Sequence, residues 1–173
     1  GFINAQQHNK TNHRCVSDEN AIRLEKENPA IIQQKIELEE YIEQYTSTHK
    51  NISREKSGAI QFIIPVVFHV ITHNGEGDVS KEDIDQAMTI LNQDFQRLNP
   101  DASQTRSQFL PYAADVQVEF RLAHKDPDGN CTEGIVRVES PLTVDADDLV
   151  KTVSYWDSKK YFNIWIVNSI LVD

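Results

Sequence analysis

The chain has 173 residues, 39% of them apolar, and 17 Lys and Arg against 27 Asp and Glu give a formal charge of −10. That is enough for one ordinary domain with an extension, while the acidic balance repels phosphate backbones and anionic lipid surfaces and argues against a nucleic-acid partner. No run approaches the roughly 20 apolar residues of a membrane-spanning helix, the longest being interrupted by Pro65 and His69.

Residues 1–5 either end a secretory signal, with a small residue ahead of a polar one, or form an ordinary frayed terminus. The polar arm that follows carries no periodicity. A helix is expected from Ser17, its N-cap, to Glu27, with Asp18 and Glu19 suiting the first turn. Asn28-Pro29 interrupts it, and Pro29 fits the first turn of a second helix. There Ile31, Leu38, Ile42 and Tyr45 share one stripe suited to packing against something larger. Residues 46–58 are polar, end in Ser57-Gly58, and read as a linker.

At residue 60 the character changes. Residues 60–71 are β-branched, aromatic and apolar almost throughout, which is the pattern of a strand buried on both faces. Pro65 within it cannot donate a ladder bond and predicts a bulge or an edge segment. After a Gly-rich turn, Ser80 with Asp83 predicts a capped helix in which Ile84, Ala87, Met88, Leu91, Phe95 and Leu98 repeat at three and four. A strand over residues 116–123 follows. Strand, helix and strand in that order predict a right-handed crossover with both strands in one sheet. Further expectations are a short strand at residues 135–138, a helix over residues 147–156 and a strand over residues 162–167, after which the sheet looks incomplete with apolar surface to cover.

Several segments together resemble the pappalysin family of zinc metallopeptidases, in particular its cytophagalysin-type members within the metzincin clan. They are Ile64-Pro65-Val66-Val67-Phe68-His69-Val70-Ile71, Ile90-Leu91-Asn92-Gln93-Asp94-Phe95-Gln96-Arg97-Leu98-Asn99, Val118-Glu119-Phe120-Arg121-Leu122-Ala123, Asp126-Pro127-Asp128-Gly129-Asn130, Gly134-Ile135-Val136-Arg137 and Phe162-Asn163-Ile164-Trp165-Ile166-Val167. Their joint order carries the resemblance.

The resemblance implies an α/β (α+β) fold: an N-terminal metzincin subdomain at 58–173 with a twisted mixed sheet and backing helices, preceded by a helical pro-segment and linker at 6–57. It implies a secreted enzyme with zinc as cofactor, acting on peptide or protein substrates through a zinc-activated water and a general-base Glu. It also implies a His-Glu-x-x-His-x-x-Gly-x-x-His helix beyond Asp173. The chain itself contains no such motif, so this stretch alone is expected to be inactive. Of its six histidines only His69 and His73 stand four apart, and on a strand that separation spans about 13 Å, too far to share one metal. His69 reads as a strand histidine satisfied by local hydrogen bonds, and His73 as a turn residue.

Cys15 follows His13-Arg14, where a nearby cation favours the thiolate, a strong zinc ligand. Its place resembles that of a pro-segment cysteine that fills the open zinc position of a latent precursor, although Val16 stands where a glycine is common. A plain unpaired thiol and a disulfide with Cys131 are the other readings of Cys15, and all three stay open on sequence grounds. Under the first, the pro-segment binds the catalytic portion of its own chain and is removed by cutting near Arg54 or Lys56. Cys131 reads as a partly buried small thiol on a turn. Asp126, Asp128 and Asn130 alternate as in a calcium loop, but Arg137 occupies the twelfth position where a carboxylate is expected, so calcium stays open too. A different class of function is a binding or inhibitory module, or cargo of the bacterial type IX secretion machinery.

Overall fold

The computed structural model describes residues 16–48 and 62–171, which fall into two compact units divided between Arg54 and Glu55. The first unit is a pair of helices, α1 (Val16–Glu27) and α2 (Ala30–Thr48). Ser17 therefore lies inside α1 and is not its N-cap. The break comes where expected: the Asn28 amide closes α1 on the Leu24 carbonyl, and the Asn28 side chain accepts from the Ala30 amide to open α2. Lys35 and Glu25 join the two helices at 2.6 Å. The helix α2 extends into the polar stretch assigned to the linker, and there the Thr46 and Thr48 hydroxyls bond back to carbonyls one turn earlier. None of its residues is buried.

The second unit is built around β1 (Phe62–Thr72). Bonds to one edge of this strand involve its even-numbered residues: Phe62 donates to Gln117, Val66 accepts from Ala123, Phe68 donates to Gly134, and Thr72 accepts from Ser140. Two short strands therefore lie end to end along that edge. The first is β2 (Val118–Leu122), in register Phe62↔Val118; the second is β3 (Ile135–Glu139), in register Phe68↔Ile135. The opposite edge carries β4 (Phe162–Ile166), in register Val66↔Phe162. All three pairings are parallel, and isolated antiparallel bridges occur at His73–Glu76 and Lys125–Cys131. Pro65 causes no bulge, since the β1–β2 register runs through it unbroken. Being odd-numbered, it directs its missing donor to the other edge, just short of the start of β4.

The helix α3 (Lys81–Phe95) forms the crossover and is capped by Ser80, whose hydroxyl oxygen accepts from the Asp83 amide. It covers one face of the sheet, where Val66, Phe68 and Val70 meet Ile84, Met88 and Phe120. On the other face Val67 packs with Ala123 and Trp156, and Ile71 with Ala146 and Val150. Burial on both faces explains why β1 is apolar at successive positions.

Two expected elements differ. The second strand starts two residues late because Gln117 has φ of +59° and the Val116 amide already closes on the Phe95 carbonyl. Where a helix was expected over residues 147–156 there is a 3-10 turn, Asp148–Thr152, capped by Asp147. Beyond it the Val153 amide closes on the Val150 carbonyl, three residues back, and the Trp156 amide, which would close on Thr152 in a helix, donates to the Asn163 side chain, so the helical ladder is not continued.

Candidate functional site

Of the candidates raised by sequence, Cys15 lies outside the described residues. Cys131 is a free and exposed thiol, which corrects the expectation of partial burial; the Lys125–Cys131 bridge sets it on a surface hairpin. In that hairpin one Asp126 oxygen accepts from the Asp128 and Asn130 amides, and the other accepts from the Asn130 side chain. Bonds from Asn130 hold the Asp126 carboxyl below its ordinary range. The carboxylate thus serves its own turn, and Arg137 is engaged elsewhere, with Asp78 and the Val79 carbonyl.

His69 and His73 are engaged separately. His73 caps the far end of β1, its Nδ1 lying 3.1 Å from Glu139, which also accepts from the Asn74 amide and the Thr72 hydroxyl. The Asn74 amide is the largest influence pulling the Glu139 carboxyl below its usual value. His69 is fully buried. Its Nδ1 lies 2.7 Å from the Ser154 hydroxyl and its Nε2 lies 2.9 Å from Asn163 Oδ1.

The protonation of this ring follows from its partners. Asn163 Oδ1 also accepts from the Trp156 amide, and Asn163 Nδ2 donates to the Trp156 and Tyr161 carbonyls, so the amide has one orientation. His69 therefore carries its proton on Nε2, and Nδ1 accepts from Ser154. Burial pushes its pKa down, only partly offset by the bond to Asn163. Trp165 stacks on the ring at 5.1 Å and Trp156 meets it edge-on at 6.4 Å.

Ser154, His69 and Asn163 superficially reproduce a nucleophile, a base and an orienting group. The base is closed off between two indoles and has no access for a substrate, so the trio is a structural tie. Sequence reasoning read His69 correctly as satisfied by hydrogen bonds, but it could not find the partners, which lie 85 and 94 positions away. Among the described residues no group of three or more His, Cys, Asp or Glu side chains could hold a metal. These residues accordingly do not fit a zinc site.

The chain with this long central strand, its parallel neighbours and its crossover helix is similar to a metzincin-type zinc metallopeptidase, with and without its pro-segment. Among solved structures it is similar to mature mirolysin of Tannerella forsythia in complex with a cleaved peptide, at 33% identity and TM-score 0.54, covering 60% of this chain and 41% of that one. Mirolysin in complex with a compound gives 33% identity and TM-score 0.52 over the same shares. A promirolysin mutant of Tannerella forsythia gives 30% identity and TM-score 0.62, covering 83% of this chain and 46% of that one. The chain thus spans less than half the length of these relatives. No family model matches it, and no curated protein does. Among the described residues no helix is long and apolar enough to cross a membrane.

Proposed function

We propose that the chain is the N-terminal portion of a secreted zinc metalloendopeptidase precursor, with residues 6–57 as a latency segment and residues 58–173 as the N-terminal subdomain of the catalytic domain. The observation that carries this reading is the difference between the two relatives. Coverage rises from 60% with mature mirolysin to 83% with promirolysin. The added share is about 40 residues, a length that α1, α2 and their flanks supply.

In this reading the sheet unit is scaffold. Its residues hold no zinc, and the metal ligands and general base belong to sequence beyond Asp173. What the chain contributes to catalysis is a rigid sheet for the active-site helix to pack on, and the Cys15 thiolate is the zinc ligand that keeps the precursor latent. Extending expression past Asp173 tests the first part: the longer protein should bind zinc and cleave peptides while the 173-residue chain does neither, and a natural stop at Asp173 would sink it. In the complete precursor Cys15→Ala should speed activation. Unchanged activation kinetics would remove Cys15 from the latency mechanism and leave the precursor assignment standing.

A further inference from the structure

Residues 154–161 run over the sheet without regular helix or strand, and side chains of the sheet hold them there. His69 on β1 takes the Ser154 hydroxyl, Trp165 on β4 donates to the Ser154 carbonyl, and Asn163 on β4 bonds both the amide and the carbonyl of Trp156. Asn163 also reaches the Tyr161 carbonyl. His69 stands at the centre of this clasp, since one nitrogen holds the segment directly and the other holds the Asn163 oxygen.

We propose that His69 is an acid-operated latch, keeping residues 154–161 on the sheet while its ring is neutral and releasing them when the ring takes a second proton. The new proton must enter at Nδ1, facing the Ser154 oxygen, so that hydroxyl has to turn from donor to acceptor and the bond that fastens the segment is remade. The charge would arise in a side chain closed to water, and among the described residues no carboxylate touches the ring.

The ring's partners among the described residues, Ser154, Asn163, Trp156 and Trp165, are all uncharged. Val67 and Ile71 of β1 stand two residues to either side of His69, with Val136 and Val138 of β3 packed against their clusters. The 3-10 turn adds Val150 and the overlying segment adds Trp156. The two indoles in turn meet Lys151, 5.9 Å from the centre of Trp165 and paired with Asp148 at 2.6 Å; Tyr155, stacked on Trp165; and Tyr161, against Trp156. His73, at the end of β1, has Glu139 as its own partner. The Trp165 face offsets part of the cost of a cation, but no group neutralises it.

The sign of the pH effect follows. A released His69 returns to its ordinary pKa of about 6.5, while the clasped ring binds its proton less readily, so below that value the released form holds more protons. The released fraction then grows roughly tenfold for each unit of pH until the clasped ring itself protonates.

The test uses the full chain with 15N-labelled histidine. The ring should show the Nε2–H form at neutral pH, and amide exchange across 154–161, corrected for intrinsic rate, should quicken about tenfold per pH unit below 6.5 while β1 stays protected. Both tryptophans of the chain touch the ring, so indole fluorescence should change over the same interval. The substitution His69→Gln keeps an amide donor but cannot ionise, and it should abolish this acid-dependent exchange. Persistence of the effect in H69Q, an ordinary pKa for His69 in the folded chain, or loosening of 154–161 only together with the whole sheet unit would each overturn the latch. Should H69Q fail to fold, the labelled-histidine titration and exchange in the unaltered chain decide the matter alone.

Discussion

Between the end of β2 and the start of β3 the chain leaves the edge of β1, makes the Asp126 hairpin, and returns to the same edge two residues further along. Gly134 makes the return possible. It has φ of +72°, and a Cβ there would stand 2.7 Å from the Ala123 amide nitrogen and 3.1 Å from the Val66 carbonyl oxygen. Both atoms are bonded to each other in the sheet and neither can withdraw. Gly134→Ala should therefore lower unfolding stability by about 2–4 kcal/mol, from left-handed strain plus overpacking. Gly75 is the comparison: its φ is +82° in the Asn74-Gly75 turn, but nothing lies within 4 Å of its Cβ position. Gly75→Ala should cost only about 1 kcal/mol. Equal shifts of the two denaturation midpoints would show that the close approach at Gly134 has no weight. The need for glycine at residue 134 was not legible in sequence, where nothing announces that two strands share an edge. Asn92 was equally silent: it reads as a helix residue, yet its side-chain amide bonds both the amide and the carbonyl of Phe120 on β2.

Elements were legible where local chemistry and tertiary packing agree. The successive apolar residues of β1 specify burial on both faces, and the fold supplies both. The repeat and cap of α3 specify a helix with one covered face, and its buried residues are Ile84 and Met88 on that stripe. The cap differs from a full capping box in one respect. The Ser80 hydroxyl donates to the Asp83 carboxylate at 2.7 Å, while its oxygen accepts from the Asp83 amide at 3.1 Å. Ser80→Ala removes both bonds and should cost about 1 kcal/mol, while Ser80→Gly should cost a few tenths. Identical midpoints for Ser80→Ala and the parent chain in urea would exclude the cap as a stabilising element. The expected helix over residues 147–156 failed for a reason no local pattern carries. Val150, Val153 and Trp156 are spaced like a helix face, but Asn163 on β4 captures the Trp156 amide that the helix would use. Tertiary hydrogen bonds overrode the local repeat.

At the scale of the whole molecule, the strand, helix and strand order required a parallel pair with a crossover, and the α+β sheet has it. Which edge of β1 each later strand would take was not legible, since β3 and β4 are both short apolar strands able to pair on either side. The division into two compact units between Arg54 and Glu55 puts two tryptic sites, Arg54 and Lys56, at the boundary. Two basic residues of the sheet unit lie in paired strands: Arg121 in β2, paired with Glu119, and Arg137 in β3, bonded to the Val79 carbonyl. Cleavage requires a segment to enter the protease in extended form, so a bond inside a paired strand is cut only after local opening. Brief digestion with trypsin should therefore release a fragment that begins at Glu55 or Ser57. That fragment should retain one cooperative unfolding transition, because both core faces of β1 lie within it. Early cuts at Arg121 or Arg137, or loss of the transition once the first unit is removed, would mean that the sheet unit depends on residues before the boundary. Such dependence would also weigh against a removable latency segment, since a scaffold that collapses without its pro-segment could not serve the mature enzyme.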